Sequence, residues 1–301
     1  MPLSAVMHWF GRPMPAPVDP PPPPPRIEPV LGLATLPALV SPRPALAWTP
    51  DRLVTTDMLW GDGYQFPGGE IETLRLARPM GLSKACSLLL IGAGAGGAAC
   101  SLAVQLGVWV SGFEADPNLA AAAIRRIAQR KLTKHAQIEV WNPAEPKFRQ
   151  HLYHHGLALE PLRGRHPERT LSAIAMALKP TGHLMMIELV ADSPLDPANP
   201  IVAAWARLEQ RDPEAVPTAI SITRILGRLG FDVRVEEDVS DRHTTQALTG
   251  WRTTVRTMKD APPSKRAAMR YVLEAELWIL RLRLMRTGQL RLVRWHAIGG
   301  G

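Results

Sequence analysis

From residue 87 onward, short unbroken apolar runs alternate with stretches in which apolar residues recur every three or four positions. Ser87–Ile91, Val108–Phe113, Ala136–Trp141 and His183–Val190 read as strands, the most apolar of them buried on both faces, and Phe231–Val239 and Leu290–Ile298 as two more. Between them, Ala98–Leu106, Pro117–Arg130, Thr170–Leu178, Ala219–Leu229 and Lys265–Arg286 carry helical spacing. Ile124 and Ile127 can face the sheet in one of these helices, and Tyr271, Leu273, Leu277, Leu280 and Leu284 give the longest an apolar side. Upstream, Gly69–Pro79 repeats Ile71, Leu74, Leu76 and Ala77 at helical intervals, with Gly81 as a stop signal. Strands and helices alternating at these lengths predict an α/β fold with a doubly wound parallel sheet, right-handed crossovers and helices on both faces. No internal repeat is visible.

Composition refines this picture at the ends of the chain. With 301 residues, 46% apolar and 21% charged, the sequence suffices for one full core with appendages. Half of the 30 prolines fall within residues 1–50, including the run Pro20–Pro25, which predicts a flexible, disordered, partly polyproline arm. Residues 51–84 are expected to form a helical lid segment. Residues 85–299 form the main domain, with a helical insertion at about 240–288. The charge-free stretch Ala85–Phe113 exceeds the ~20 residues of a membrane span, but its Gly-rich middle divides it into strand, turn and helix. The start lacks a basic segment before a long apolar one, so no secretory signal is expected, although Met7, Trp9 and Phe10 can touch a membrane or a partner. Cys86 and Cys100 read as core thiols, and a cytoplasmic location is expected.

The net charge of +8 is concentrated in residues 251–301, where eleven Lys and Arg face three acids. This basic region can meet phosphate, nucleic acid or an anionic membrane surface peripherally. The favoured reading is plainer: Arg281, Arg283, Arg286, Arg291 and Arg294 form a solvated face of a helix and a strand.

The chemistry concentrates after the first strand. Gly92-Ala93-Gly94-Ala95-Gly96-Gly97 is a phosphate-loop-like turn whose glycines permit positive φ and close approach of a ligand to the following helix N-terminus. Glu114 ends the next strand 20 residues after Gly94, where a carboxylate can accept hydrogen bonds from ribose hydroxyls. The pattern specifies a nucleoside-containing ligand and fits NAD as well as S-adenosylmethionine.

Further along, Ala177-Leu178-Lys179-Pro180-Thr181-Gly182-His183-Leu184 with Ile187-Glu188 resembles the turn and fifth strand of class I S-adenosylmethionine-dependent methyltransferases. Leu59-Trp60-Gly61-Asp62-Gly63-Tyr64-Gln65-Phe66-Pro67-Gly68-Gly69, with Thr73, resembles the segment that precedes the core in the phosphoethanolamine and sterol type of that family. The resemblance covers roughly residues 55–299 and implies a Rossmann-like sheet of about seven strands, the last antiparallel. It implies S-adenosylmethionine as cofactor, methyl transfer to a small-molecule acceptor, and a lid folded across the site. Under it, Gly92, Ala93, Gly94 and Gly96 lie against the methionine part, Glu114 with Ala115 holds the ribose, Tyr64 and Gln65 approach from the lid, and Asn142 accepts from the adenine amino group. The sequence departs from the family at Leu90 and Asn142, where acids are usual, and in the fourth-strand region Phe148–Glu168.

Tyr64, His154 and His155 are the candidate catalytic groups, the histidines because a neutral imidazole can act as base. His151, His154, His155 and His166 close no zinc pattern, so no metal is expected. Trp205, Trp251, Trp278 and Trp295 read as core. Two alternatives remain: a catalytically degenerate binding protein of the same fold, and an NAD-dependent oxidoreductase, disfavoured by the lack of a Tyr-x-x-x-Lys pair. No nucleic-acid module is recognisable.

Overall fold

The computed structural model describes residues 46–164 and 166–300. The expectations for the proline-rich arm before residue 46, including Met7, Trp9 and Phe10, lie outside the described residues.

Seven strands form one sheet: β1 (Ser87–Ile91), β2 (Trp109–Glu114), β3 (Ala136–Val140), β4 (Tyr153–Leu159), β5 (Leu178–Val190), β6 (Phe231–Asp238) and β7 (Arg291–Gly299). Their order is β3-β2-β1-β4-β5-β7-β6, and only β7 runs antiparallel to its neighbours. The expected architecture, last strand included, is what the chain adopts. Nine α-helices are described: α1 (Pro50–Trp60), α2 (Gly69–Ala77), α3 (Gly97–Leu106), α4 (Pro117–Gln129), α5 (Pro167–Ala177), α6 (Pro200–Glu209), α7 (Ala219–Arg228), α8 (Ser240–Asp260) and α9 (Lys265–Arg286).

The continuous apolar run of β1 has a direct cause. Leu88 and Leu90 join one core cluster, and Leu89 and Ile91 join the cluster on the opposite face, so Leu88–Ile91 of this central strand are covered on both sides. Leu90 is fully buried and lies beside Leu157 of β4 and Gly112 of β2, where an acid would be stranded in the core. The fourth strand, which the sequence did not disclose, pairs Leu88–Ile91 with His155–Ala158. Its Gly156 keeps the face open for Leu184 and Leu178, which a Cβ would meet at 3.3 and 3.4 Å.

A separate helical layer lies over one end of the sheet. Thr49 caps α1 by accepting the Arg52 N–H, and α1 packs against both α8 and α9, while α9 also packs against α6. Trp60 is the joint: its ring meets Trp251 of α8 at 6.5 Å and Trp278 of α9 at 4.8 Å. At Gly250 an added Cβ would stand 2.6 Å from the Trp60 ring and 2.7 Å from the Leu59 carbonyl, so α8 crosses α1 at backbone distance. This layer corrects one sequence reading. Arg281 is only 5% exposed, pointing inward from α9, while Arg291 and Arg294 pair with Asp192, Asp238 and Glu237. No described helix is long and apolar enough to cross a membrane.

Candidate functional site

Strand order reverses between β1 and β4, and a doubly wound sheet opens a crevice beyond the carboxyl ends of its strands at such a point. A cavity of about 350 Å³ lies there, lined by the turn after β1 and by residues of β2, β4 and β5, and roofed by α1, α6 and α9. Its size falls in the range of about 300–1,000 Å³ usual for small-molecule sites.

The glycine turn forms one wall. Gly92, Gly94 and Gly96 have φ of +75°, +58° and +94°, a region that side chains resist. A Cβ on Gly92 would strike the Leu159 carbonyl at 2.2 Å, so this glycine is needed for β1 and β4 to meet at the crevice. Glu114 closes the turn: its carboxylate, 8% exposed, accepts the N–H groups of Gly94 at 2.7 Å and Asp116 at 3.0 Å. Burial pushes the Glu114 carboxyl above its usual range, and these two donors work against that rise.

The segment between α1 and α2 lies on the same wall. Gly63 accepts the N–H of Gly97 at the start of α3, and Gln65 Oε1 accepts the Ala95 N–H at 2.8 Å. The Tyr64 hydroxyl is 2.5 Å from Ser101 Oγ, and burial raises this phenol to about 12. Tyr64 thus serves the wall with its ring, and its hydroxyl is committed to α3. Gly92, Ala93, Gly94, Glu114, Ala115, Tyr64 and Gln65 all border the cavity. Gly96 sits behind them as the N-cap of α3, against Ala123.

Three sequence candidates stand elsewhere. Asn142 is exposed, and its Oδ1 accepts the Ala144 N–H; its neighbours Trp141 and Pro143 make the wall instead. His154 and His155 open β4, about 13 Å of strand before Leu159 at the cavity. There His154 Nδ1 accepts the Ser87 N–H at 3.0 Å, and its Nε2 lies 3.0 Å from Lys179 Nζ. His155 meets His183 edge-on, and His183 meets His296 in turn, with both ring pairs 5.1 Å apart. Burial, with His183 and His154 nearby, pulls His155 down to about 4.

Sequence reasoning missed the acidic and guanidinium groups at the other end of the cavity. Arg281 donates to Glu209 at 2.7 Å and to Glu160, and Arg211 reaches Glu188 at 2.5 Å and Glu160 at 3.4 Å. Although burial opposes it, the surrounding guanidiniums of Arg281, Arg163 and Arg211 hold Glu160 well below the usual carboxylate range. Arg52 of α1 pairs with Glu274 of α9 at 2.9 Å and lies over the Trp48 ring. The available signal was helical phase: Glu274, Leu277 and Arg281 share one stripe of α9 with Trp278 beside them. Among the described residues, no group of three or more His, Cys, Asp or Glu is placed to hold a metal ion.

No protein-family model matches the sequence, and no curated protein matches it. Solved structures do. Phosphoethanolamine N-methyltransferase 2 of Haemonchus contortus, solved with phosphomonomethylethanolamine and S-adenosylhomocysteine, superposes with a TM-score of 0.73 at 18% identity, covering 84% of this chain and 58% of that one. The chain therefore spans less than two thirds of that protein. A putative sarcosine dimethylglycine methyltransferase from Galdieria sulphuraria matches with a TM-score of 0.65 at 14% identity, over 83% of this chain and 98% of its own. The cyclase SpnF matches with a TM-score of 0.62 at 18% identity, over 86% and 99%. With its β3-β2-β1-β4-β5-β7-β6 sheet and antiparallel β7, the chain has the fold of the class I S-adenosylmethionine-dependent methyltransferases.

Proposed function

We propose that the protein binds S-adenosylmethionine and transfers its methyl group to a small-molecule acceptor in the cytoplasm. One observation carries the reading: the roofed cavity at the β1/β4 switch brings the glycine turn, Glu114, Tyr64 and Gln65 to a single wall. The wall also contains donors in need of acceptors. Among the described residues, Gln65 Nε2 and Trp141 Nε1 are buried without a hydrogen-bond partner, a state that a bound nucleoside and carboxylate would relieve. The structural neighbour from Haemonchus contortus was solved with S-adenosylmethionine and with its demethylated product, which supports the same occupant here. Free Cys86 and Cys100 agree with a reducing compartment.

Bound in this way, the cofactor would supply a methyl group on a sulfonium, ready for in-line displacement. The protein has to position and enclose. Glu114 would take the ribose hydroxyls, the backbone of Gly92–Gly94 and the Gln65 amide would face the methionine part, and Trp141 would flank the base, next to Asn142, which stands where the family usually has its adenine-binding acid. Arg52, Glu274, Trp278 and Arg281 would bound the acceptor, and α1 and α9 exclude water.

A second reading, a protein of this fold that binds without methylating, is favoured by the placement of His154 and His155 away from the cavity and by likeness to a cyclase. Calorimetric titration with S-adenosylmethionine, S-adenosylhomocysteine and NAD tests the cofactor. Micromolar binding of the first two is expected, weakened about 10- to 100-fold in Glu114→Ala as charge-assisted hydrogen bonds are lost. Heat only with NAD, or with none, would end the proposal. Transfer of labelled methyl to an acceptor separates the first reading from the second.

A further inference from the structure

The outer surface of the helical layer has a composition unlike its cavity side. α1 turns Val54 and Met58 outward at 64% and 47% exposure, α8 turns out Val255 at 47%, and α9 turns out Met269 and Val272 at 60% and 54%. These positions belong to one continuous layer. Thr254, beside Val255, donates to the Met58 carbonyl at 3.1 Å, and Arg266 and Arg270, which flank Met269, reach Asp51 of α1 at 2.7 and 3.9 Å. The apolar residues are rimmed by cations. Arg252, Arg256, Lys259 and Lys265 are exposed and form no ion pair among the described residues, and Asp260 is the one acid between them.

We propose that this α8–α1–α9 face docks peripherally on an anionic lipid surface. Aliphatic side chains surrounded by uncompensated Lys and Arg match a bilayer interface, where the apolar groups enter the headgroup boundary and each cation near the surface gains from the negative potential. A nucleic acid would satisfy the cations but leave Val54, Met58, Val255, Met269 and Val272 against phosphate. The layer does not span a membrane, since no described helix is long and apolar enough. Two of these helices, α1 and α9, line the cavity with Arg52, Glu274, Leu277 and Trp278 on their inner sides, so docking would set the roof of the site against the lipid surface. The inference does not depend on which cofactor the cavity holds.

The test is co-sedimentation of the full chain with vesicles of phosphatidylcholine alone and of phosphatidylcholine with phosphatidylserine. Wild type is compared with Arg252→Glu/Arg256→Glu/Lys259→Glu/Lys265→Glu and with Val54→Ser/Met58→Ser/Val255→Ser. Binding to the anionic vesicles only is expected, weakening with salt. Each lost cation should reduce the partition coefficient about fivefold, so the charge variant drops by two orders of magnitude or more. The apolar variant should fall about tenfold or more. All three proteins should keep the same melting temperature and the same ligand titration, because the substituted residues lie outside the cavity. Equal binding to neutral vesicles, no binding at low salt, or variants that bind like wild type would overturn the proposal. So would wild type that ignores vesicles but self-associates through this face or binds an oligonucleotide with loss in the charge variant.

Discussion

Two histidines show how a residue type favoured for catalysis is used structurally. His155 is held at about 4 by burial beside His183 and His154, and His243 of α8, fully enclosed against Trp278 with Arg281 and Arg242 nearby, is pulled down to about 3. In the unfolded chain both return to about 6.5. Their folded values lie below the unfolded one, so the unfolded state takes up more protons as pH falls. Stability is therefore complete above about pH 6.5 and is lost on acidification toward the folded values. As pH falls below 6.5 the cost of each such group approaches about 1.4 kcal/mol per pH unit, His155 less because solvent screens it. Denaturant midpoints measured at pH 7, 6 and 5 should drop steeply in wild type and more shallowly in His243→Gln. Equal slopes in the two proteins would mean that His243 does not carry the effect. The sequence showed nine histidines but not their partners, because His155 meets His183 of β5, which meets His296 of β7 in turn, and His243 meets Trp278 of α9.

At the scale of elements, periodicity revealed what is covered on a regular face and missed what is not. β1 and α9 were readable to the residue, since Leu88–Ile91 is an unbroken apolar run after Ser87 and Lys265–Arg286 repeats its leucines. β4 was hidden because Tyr153-His154-His155-Gly156 interrupts its apolar half, and burial there comes from β5 across the sheet. Helix α6, with Asn199 as its cap, was passed over although Asn-Pro at 199–200 is a start signal. Two helical glycines allow opposite predictions. Gly227 in α7 has open space around it, so Gly227→Ala should stabilise by up to about 1 kcal/mol through helix propensity. Gly250 in α8 has Trp60 and the Leu59 carbonyl within clashing distance, so Gly250→Ala should lose about 1–2 kcal/mol, the overpacking outweighing the same propensity gain. Urea midpoints decide both, and a stabilised Gly250→Ala would show that α8 can move away from α1 without cost.

Across the whole molecule, the cavity wall is tied by charges far apart in sequence. Glu160 follows β4, Glu188 lies in β5, Glu209 ends α6 and also accepts the Trp205 N–H at 2.6 Å, and Arg211 and Arg281 join them from beyond α6 and from α9. The glycine turn and Glu114 were legible because one βα unit builds them. This network was not, since its members span residues 160 to 281 and look like ordinary surface charges until the helices pack. Burying it has a large desolvation cost that only complete pairing offsets, so its parts should be strongly coupled. Arg281→Leu leaves Glu160 and Glu209 short of a cation and should lose about 3–5 kcal/mol, a fall in melting temperature of about 10 °C. Arg281→Leu/Glu160→Leu/Glu209→Leu removes the stranded carboxylates as well and leaves Arg211 paired with Glu188. That triple variant should melt above the single one, although it carries two more substitutions in the same cavity wall. Thermal unfolding of both at pH 7 checks this. If the triple variant is the less stable, the three groups contribute as independent packing elements and the wall is not held by a charge network.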